Sequence, residues 1–277
     1  MTTLHYQNII YIGLHHILAI YALQHLATHF SWIFLRDIIV FAWLSGLFGI
    51  TAGAHRLWSH RSYKAALPVR IVFMLANCTA HQGSIVHWVR DHRLHHKFSD
   101  TEWDPHSIQK GFFYAHMGWL FVRKSAEAKQ KGTEISMTDI YQDPVCVFQH
   151  KYYLQLAHLF CFGLPTLYGW MYYGSAVQGY LYLGVLRWIL LLHSTWCVNS
   201  VAHKWGTRPY NPNIPPVESS ITSVLAVGEG WHNYHHVYPY DYRASEFGWW
   251  TKWNPTSFVL DSLALVGLVW DRKRHIA

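Results

Sequence analysis

The chain has 277 residues, of which 51% are apolar and 13% charged, with a formal net charge of +7. So few charges exclude an ordinary soluble domain, and an aromatic share of 17%, with 15 Trp and 18 Tyr, excludes disorder and points to membrane interfaces or deep apolar cavities. A mean hydropathy of only +0.03 means that apolar spans alternate with polar sections, and 22 His make transition-metal binding the first chemistry to consider.

Residues 1–7 carry no Lys or Arg, and the first apolar run outlasts a signal peptide, so no cleaved signal is expected. A bilayer core takes about 20 helical residues per crossing. Four runs fit, at 8–27, 38–57, 154–174 and 179–201. The stretches Leu67 to Ala80 and Thr256 to Trp270 are short for a crossing and read as helices at the interface or packed on the cytosolic part. Gly174 to Gln178, between the third and fourth runs, is too short to hold a domain and predicts a hairpin. Four crossings place both termini and the 58–153 section on one side. Of 22 Lys and Arg, 13 lie from Arg56 to Lys151 and seven from Lys204 onward, so the positive-inside rule puts those sections in the cytosol. The expected fold is an all-α integral membrane protein: one domain over 1–277, with four transmembrane helices capped by a cytosolic helical part, 58–153 and 202–277, that holds a dimetal site.

Arg36 adjoins Asp37, which can neutralise it, whereas Arg187 inside the fourth run requires an inward-facing partner or a wet cavity. Gly163, Pro165 and Gly169 in the third run are tolerated in membranes and need no special reading. Cys78, Cys146, Cys161 and Cys197 form no C-x-x-C pair, so neither a disulfide framework nor a thiolate zinc site is expected. The basic residues are scattered beside membrane-length runs, and nucleic-acid binding is not expected.

Three histidine boxes lie just beyond the expected cytosolic helix ends. Box one is His55 and His60, box two His92, His95 and His96, and box three His232, His235 and His236. Asn199 and His203, at i and i+4, share a face where the fourth run emerges. In H-x-x-H-H the first His lies one turn from both others, and the adjacent pair diverges by about 100°, so the pair can serve two neighbouring ions. Box one, at i and i+5, fits no ideal helix face, so the helix is expected to end or distort there. Nine imidazoles and one amide suit two ions with four or five ligands each. Zinc needs only four ligands and does no redox work, so a redox pair with room for oxygen, two iron ions, is the expected metal. The remaining histidines read as ordinary packing: His5, His15, His16, His25 and His29 near the first run, and His116, His150, His158, His193 and His275 without ligand spacing. His106 reads as a turn or supporting residue, and His81 and His87 lie near box two.

The text around these boxes resembles the membrane acyl-CoA delta-9 desaturases, the stearoyl-CoA desaturase family. The matching residues run from Gly49 to Ala54 into box one, through Trp88, Arg90 and Asp91 into box two, and on to Asp104, Pro105 and His106. They resume at Thr195 and Trp196, Asn199 and Ser200, Ala202 and His203, and Gly228 to Trp231 into box three, ending at Tyr242. The resemblance implies that His55, His60, His92, His95, His96, His203, His232, His235 and His236 ligate two iron ions, with Asn199 acting through a water and zinc a possible occupant of a purified sample. It implies O2 as co-substrate, a saturated acyl-CoA as substrate, a cis double bond as product, and the endoplasmic reticulum as the membrane. No His-Pro-Gly-Gly haem motif occurs in the chain, so the electron donor, cytochrome b5 with its reductase, is expected to be separate. By the same resemblance Gln82, Trp88 and Thr195 set a bend in an acyl tunnel, Trp196 contacts substrate, and Asn8, Arg90, Asp91, Arg123 and Lys124 meet the CoA head group. Trp43 and Leu47 match the tunnel's closed end, and their bulk favours palmitoyl-CoA over stearoyl-CoA. Gly83 and His87 depart from the residues common in animal relatives, so part of the CoA surface is expected to differ.

An acyl-lipid desaturase or a fatty-acyl hydroxylase would carry the same boxes. A metal transporter would line the bilayer midplane with its ligands, whereas these boxes sit past the helix ends. A haem-binding subunit would leave all three boxes unexplained.

Overall fold

The computed structural model describes residues 3–276, and residues 1, 2 and 277 lie outside that description. Among the described residues the named elements are helices, with loops between them, and one two-residue antiparallel pair, β1 (Lys64–Ala65) with β2 (Val269–Trp270), in which Lys64 faces Trp270 and Ala65 faces Val269. Among the described residues three helices are long and apolar enough to cross a membrane: α1 (Tyr6–Thr28), α2 (Trp32–Ser59) and one at Ala176–His203. The expected third run is helical through 153–173 in three segments, Tyr153–His158, Leu159–Gly163 and Leu164–Tyr173. Both of the first two helices outrun their expected bounds, α2 mainly at its start, where Trp32 to Leu35 precede the Arg36–Asp37 pair within the helix.

Ser31 starts α2 by accepting from the Ile33 amide, and from Ser45 to Ser59 the helix is wound as a π-helix. This wound segment packs closely on its neighbour. Gly49 lies so close to the next helix, α3 (Leu67–Ala80), that a Cβ there would fall 2.4 Å from the Ala76 carbonyl carbon. α3 thus packs one face against α2, with Val69, Phe73 and Met74 buried, while Leu67, Ile71 and Val72 stay exposed. α4 (Ile85–Lys97), capped by Ser84, carries box two, and α5 (Phe112–His116), α6 (Ala126–Thr133), α7 (Thr138–Gln142) and α8 (Pro144–Lys151) complete the intervening section. The 153–173 run is α9, and Ala176–His203 is α10.

The hairpin between α9 and α10 forms as expected, but Gly169 does have a specific reason. A Cβ at Gly169 would lie 2.2 Å from the Gly179 Cα, so the two helices touch backbone to backbone, a device of apolar helix packing. Arg187 is fully buried, and its partners are carbonyls: it donates to Leu183 O, Thr79 O and Cys161 O at 2.8–2.9 Å. Arg36 donates to Asp37 at 2.8 Å, and Tyr168 and Tyr173 also donate to that carboxylate. Beyond α10 lie α11 (Ser220–Leu225), α12 (His232–Val237) with box three, and α13 (Pro255–Leu265), capped by Asn254. The expected apolar run 256–270 thus divides into α13 and β2, the strand tying the C-terminal section to the exit of α2.

Candidate metal centre

Box one is brought together by the winding of α2. The His60 amide donates to the His55 carbonyl at 3.1 Å, an i→i+5 bond, and the two rings stand 4.8 Å apart. The distortion expected at this spacing is present and extends over the last 15 residues of the helix.

The nine histidines form two clusters. Ring nitrogens of His55, His60, His92, His96 and His235 gather in one, and those of His95, His203, His232 and His236 in the other. Adjacent histidines part as the 100° step requires: His95 and His96 enter different clusters, and so do His235 and His236. Every one of the nine rings turns Nε2 toward the Nε2 of another, at 2.8–3.3 Å. Such converging lone pairs are unfavourable in an ordinary core, and a shared cation relieves them, so the donor set fits two metal ions.

Carboxylates fix which nitrogen faces inward. Asp104 Oδ2 lies 2.8 Å from His95 Nδ1, Asp100 Oδ2 lies 2.7 Å from His203 Nδ1, and Glu229 Oε2 lies 3.0 Å from His55 Nδ1. Each contact leaves Nε2 free for a metal. Glu229 is itself held by Arg56, buried at the exit of α2, at 2.7 Å. Burial, and then neighbouring imidazoles, push His60, His92, His96, His232, His235 and His236 well below the ordinary imidazole value, which keeps them neutral as ligands must be. For His95, burial acts downward but the Asp104 carboxylate overrides it and raises the group. Burial works against ionisation of Asp100, Asp104 and Glu229, yet their imidazole or guanidinium partners hold all three below the usual carboxylate range. His106 packs on His95, ring centroids 4.4 Å apart, and burial pushes it down to about 3. Neither Asp100 nor the role of Glu229 was legible in the sequence; the only hint was acidic residues closely following box two.

A cavity of about 330 Å³ runs from this centre between α2, α10 and α11. At the inner end it is lined by His55, His92, His95, His232, Trp88, Thr195 and Asn199, and farther out by Ile39, Trp43, Gly46 and Leu190. Trp88 stacks on His92, and Gln82 Nε2 donates to Thr195 Oγ1 at 2.9 Å. Two expectations need correction. Leu47 is buried but does not line the cavity, although Trp43 and Thr51, one turn away on either side, do. Trp196 lies outside the lining too; α10 points it the other way, against His16, His116 and His193. Arg90, Asp91 and Lys124 meet as a cluster, with Lys124 Nζ 2.6 Å and Arg90 Nε 3.1 Å from Asp91 Oδ1. Arg123 is exposed beside it, and Asn8 donates its amide to Leu120 O at 2.9 Å.

The chain is similar in sequence to known proteins. A family model described as fatty acid desaturase matches residues 37–245. The chain is 47% identical over 97% of its length to a delta(9)-fatty-acid desaturase, fat-7, of Caenorhabditis elegans, covering 79% of that protein. It is 45% identical, again over 97% of its length, to the stearoyl-CoA desaturases of Homo sapiens and Capra hircus, covering 74% of each. Paired histidine clusters at the end of an apolar cavity, read with these relationships, place the chain in the fatty acid desaturase family.

Proposed function

We propose that the protein is an O2-dependent acyl-CoA desaturase that sets a cis double bond at the delta-9 position of a saturated palmitoyl- or stearoyl-CoA. The observation that carries this reading is the convergence of nine buried imidazole Nε2 atoms at the inner end of an apolar cavity. Two iron ions, one held by His55, His60, His92, His96 and His235 and the other by His95, His203, His232 and His236 with Asn199 through a water, would supply the redox chemistry that removes two hydrogens from the substrate.

The chain's own residues do the rest. Asp100, Asp104 and Glu229 hold the Nδ1 sides of three ligands, fixing ring orientation. The cavity walls exclude water and enclose an acyl chain, while Trp88, Thr195 and Gln82 shape the passage beside the ligands. Trp43 and Ile39 stand in the outer half, where they limit chain length, in favour of palmitoyl-CoA. The Arg90, Lys124 and Arg123 cations, with Asp91 and Asn8, suit a CoA head group whose phosphates attract them. In this reading the protein is one domain in the endoplasmic reticulum membrane. α1, α2, α9 and α10 span the bilayer, the cap and both termini are cytosolic, and cytochrome b5 with its reductase delivers two electrons.

Expression in a yeast lacking its own desaturase, with fatty-acid profiling, tests the proposal. Cis delta-9 monounsaturated acyl chains are the expected product. A gain of oxygen in place of the loss of two hydrogens would make the enzyme a hydroxylase, and turnover of phospholipid-linked chains but not acyl-CoA would make it an acyl-lipid desaturase.

A further inference from the structure

We propose that His81 is a positioning residue for the desaturation step, locking the corner between α3 and α4 so that Gln82 holds the Thr195 hydroxyl in the cavity wall beside the metal ligands. The inference rests on the desaturase reading above.

His81 ends α3 with left-handed backbone, φ 48° and ψ 54°, its amide donating to the Asn77 carbonyl, and contacts on every side hold that corner. Those contacts come from three helices. The Gly83 amide donates to the Tyr153 hydroxyl at 2.8 Å, and that hydroxyl is 3.0 Å from His81 Nδ1. His81 Nε2 is 3.1 Å from the Tyr11 hydroxyl, and Trp188 Nε1 donates to the His81 carbonyl at 3.2 Å. The two hydroxyls bracket the ring, Tyr153 at Nδ1 and Tyr11 at Nε2, and a neutral imidazole offers one donor and one acceptor to meet them. A residue there only for packing would need neither bond.

The next residue transmits the constraint. Gln82 donates to Thr195 Oγ1 at 2.9 Å, and Thr195 shares the cavity wall with Trp88, His92 and His95. Removing a hydrogen from one chosen methylene requires the acyl chain to be placed within about 0.5 Å. If the corner relaxes, Gln82 and Thr195 move, and the wall next to the reacting carbons moves with them.

Membranes from desaturase-deficient yeast expressing wild type, His81→Phe, His81→Gln and Tyr153→Phe are assayed with palmitoyl-CoA, and double-bond position and geometry are read by mass spectrometry. His81→Phe and Tyr153→Phe are expected to lower kcat about tenfold with KM changed less than about twofold, and to send about a tenth or more of the product to misplaced or trans bonds. His81→Gln, whose amide can both donate and accept, is expected to restore most of the lost kcat. If His81→Phe does not accumulate in membranes, Tyr11→Phe, which removes a single bond, must shift the product distribution the same way. Folded variants with wild-type products and kcat, or a His81→Gln protein as impaired as His81→Phe, overturn the proposal. A wild type that forms no unsaturated product overturns the desaturase reading, and this inference with it; an active wild type beside silent variants overturns this inference alone.

Discussion

Replacing Trp43 with Ala should move the substrate preference from palmitoyl toward stearoyl chains. Trp43 lines the outer half of the cavity, one turn from Ile39, and its indole also rests on Trp253 at 5.7 Å. It is 37% exposed, so its truncation leaves the core intact. The two substrates differ by two methylenes, and at about 0.8 kcal/mol per buried methylene the new space is worth about 1.6 kcal/mol to the longer chain. At about 1.4 kcal/mol per factor of ten, the ratio of kcat/KM for stearoyl-CoA over palmitoyl-CoA should rise roughly fifteenfold. The assay is competition between the two acyl-CoAs in isolated membranes, with products separated by chain length. Leu47→Ala is the control. Leu47 is 7% exposed and off the cavity lining, so its truncation should lower stability by about 2–5 kcal/mol and leave the ratio unchanged. An unmoved ratio in the Trp43 variant, or an equal shift in the Leu47 variant, would refute the placement of the cavity's outer wall.

Asp104→Asn should weaken metal binding by about 10–100-fold, read as metal content after dialysis against graded chelator, because His95 loses the carboxylate that orients it. Gly49→Val should prevent stable accumulation in membranes, since a Cβ there falls 2.4 Å from the Ala76 backbone and neither helix can yield; normal expression and melting would contradict the packing of α2 on α3. Metal-stripped protein should lose thermal stability as pH falls below about 6.5, the ordinary imidazole value. Six cluster imidazoles lie below that value when folded, so the unfolded chain binds protons first and stability declines with acidification, whereas above it they contribute no pH dependence. A flat melting temperature from pH 8 to pH 5 would show that these rings are not buried neutral.

The histidine spacing and the apolar runs are local properties, and local geometry was enough to read them. Box one at i and i+5 announced a distorted helix, and adjacent histidines 100° apart announced two clusters, because both follow from the winding of a single helix. The position of the helical runs followed from the length of apolar sequence in the same way. Which side chains meet across helices is a different matter. Asp100 reaches His203 across 103 residues and Glu229 reaches His55 across 174, and no spacing rule connects them. Leu47 and Trp196 were placed at the cavity on resemblance; Leu47 is buried between lining residues without joining them, and α10 turns Trp196 toward His16, His116 and His193. Gly169 read as an incidental glycine until its contact with Gly179 gave it a function, and His81 as a stray histidine until Tyr11, Tyr153 and Trp188 closed around it. The sequence alone determined that this chain builds apolar helices bearing a many-histidine metal centre. Only the tertiary structure decided which imidazole serves which cluster, which carboxylates orient them and which residues face the cavity, because those depend on the rotation and contact of helices far apart in the chain.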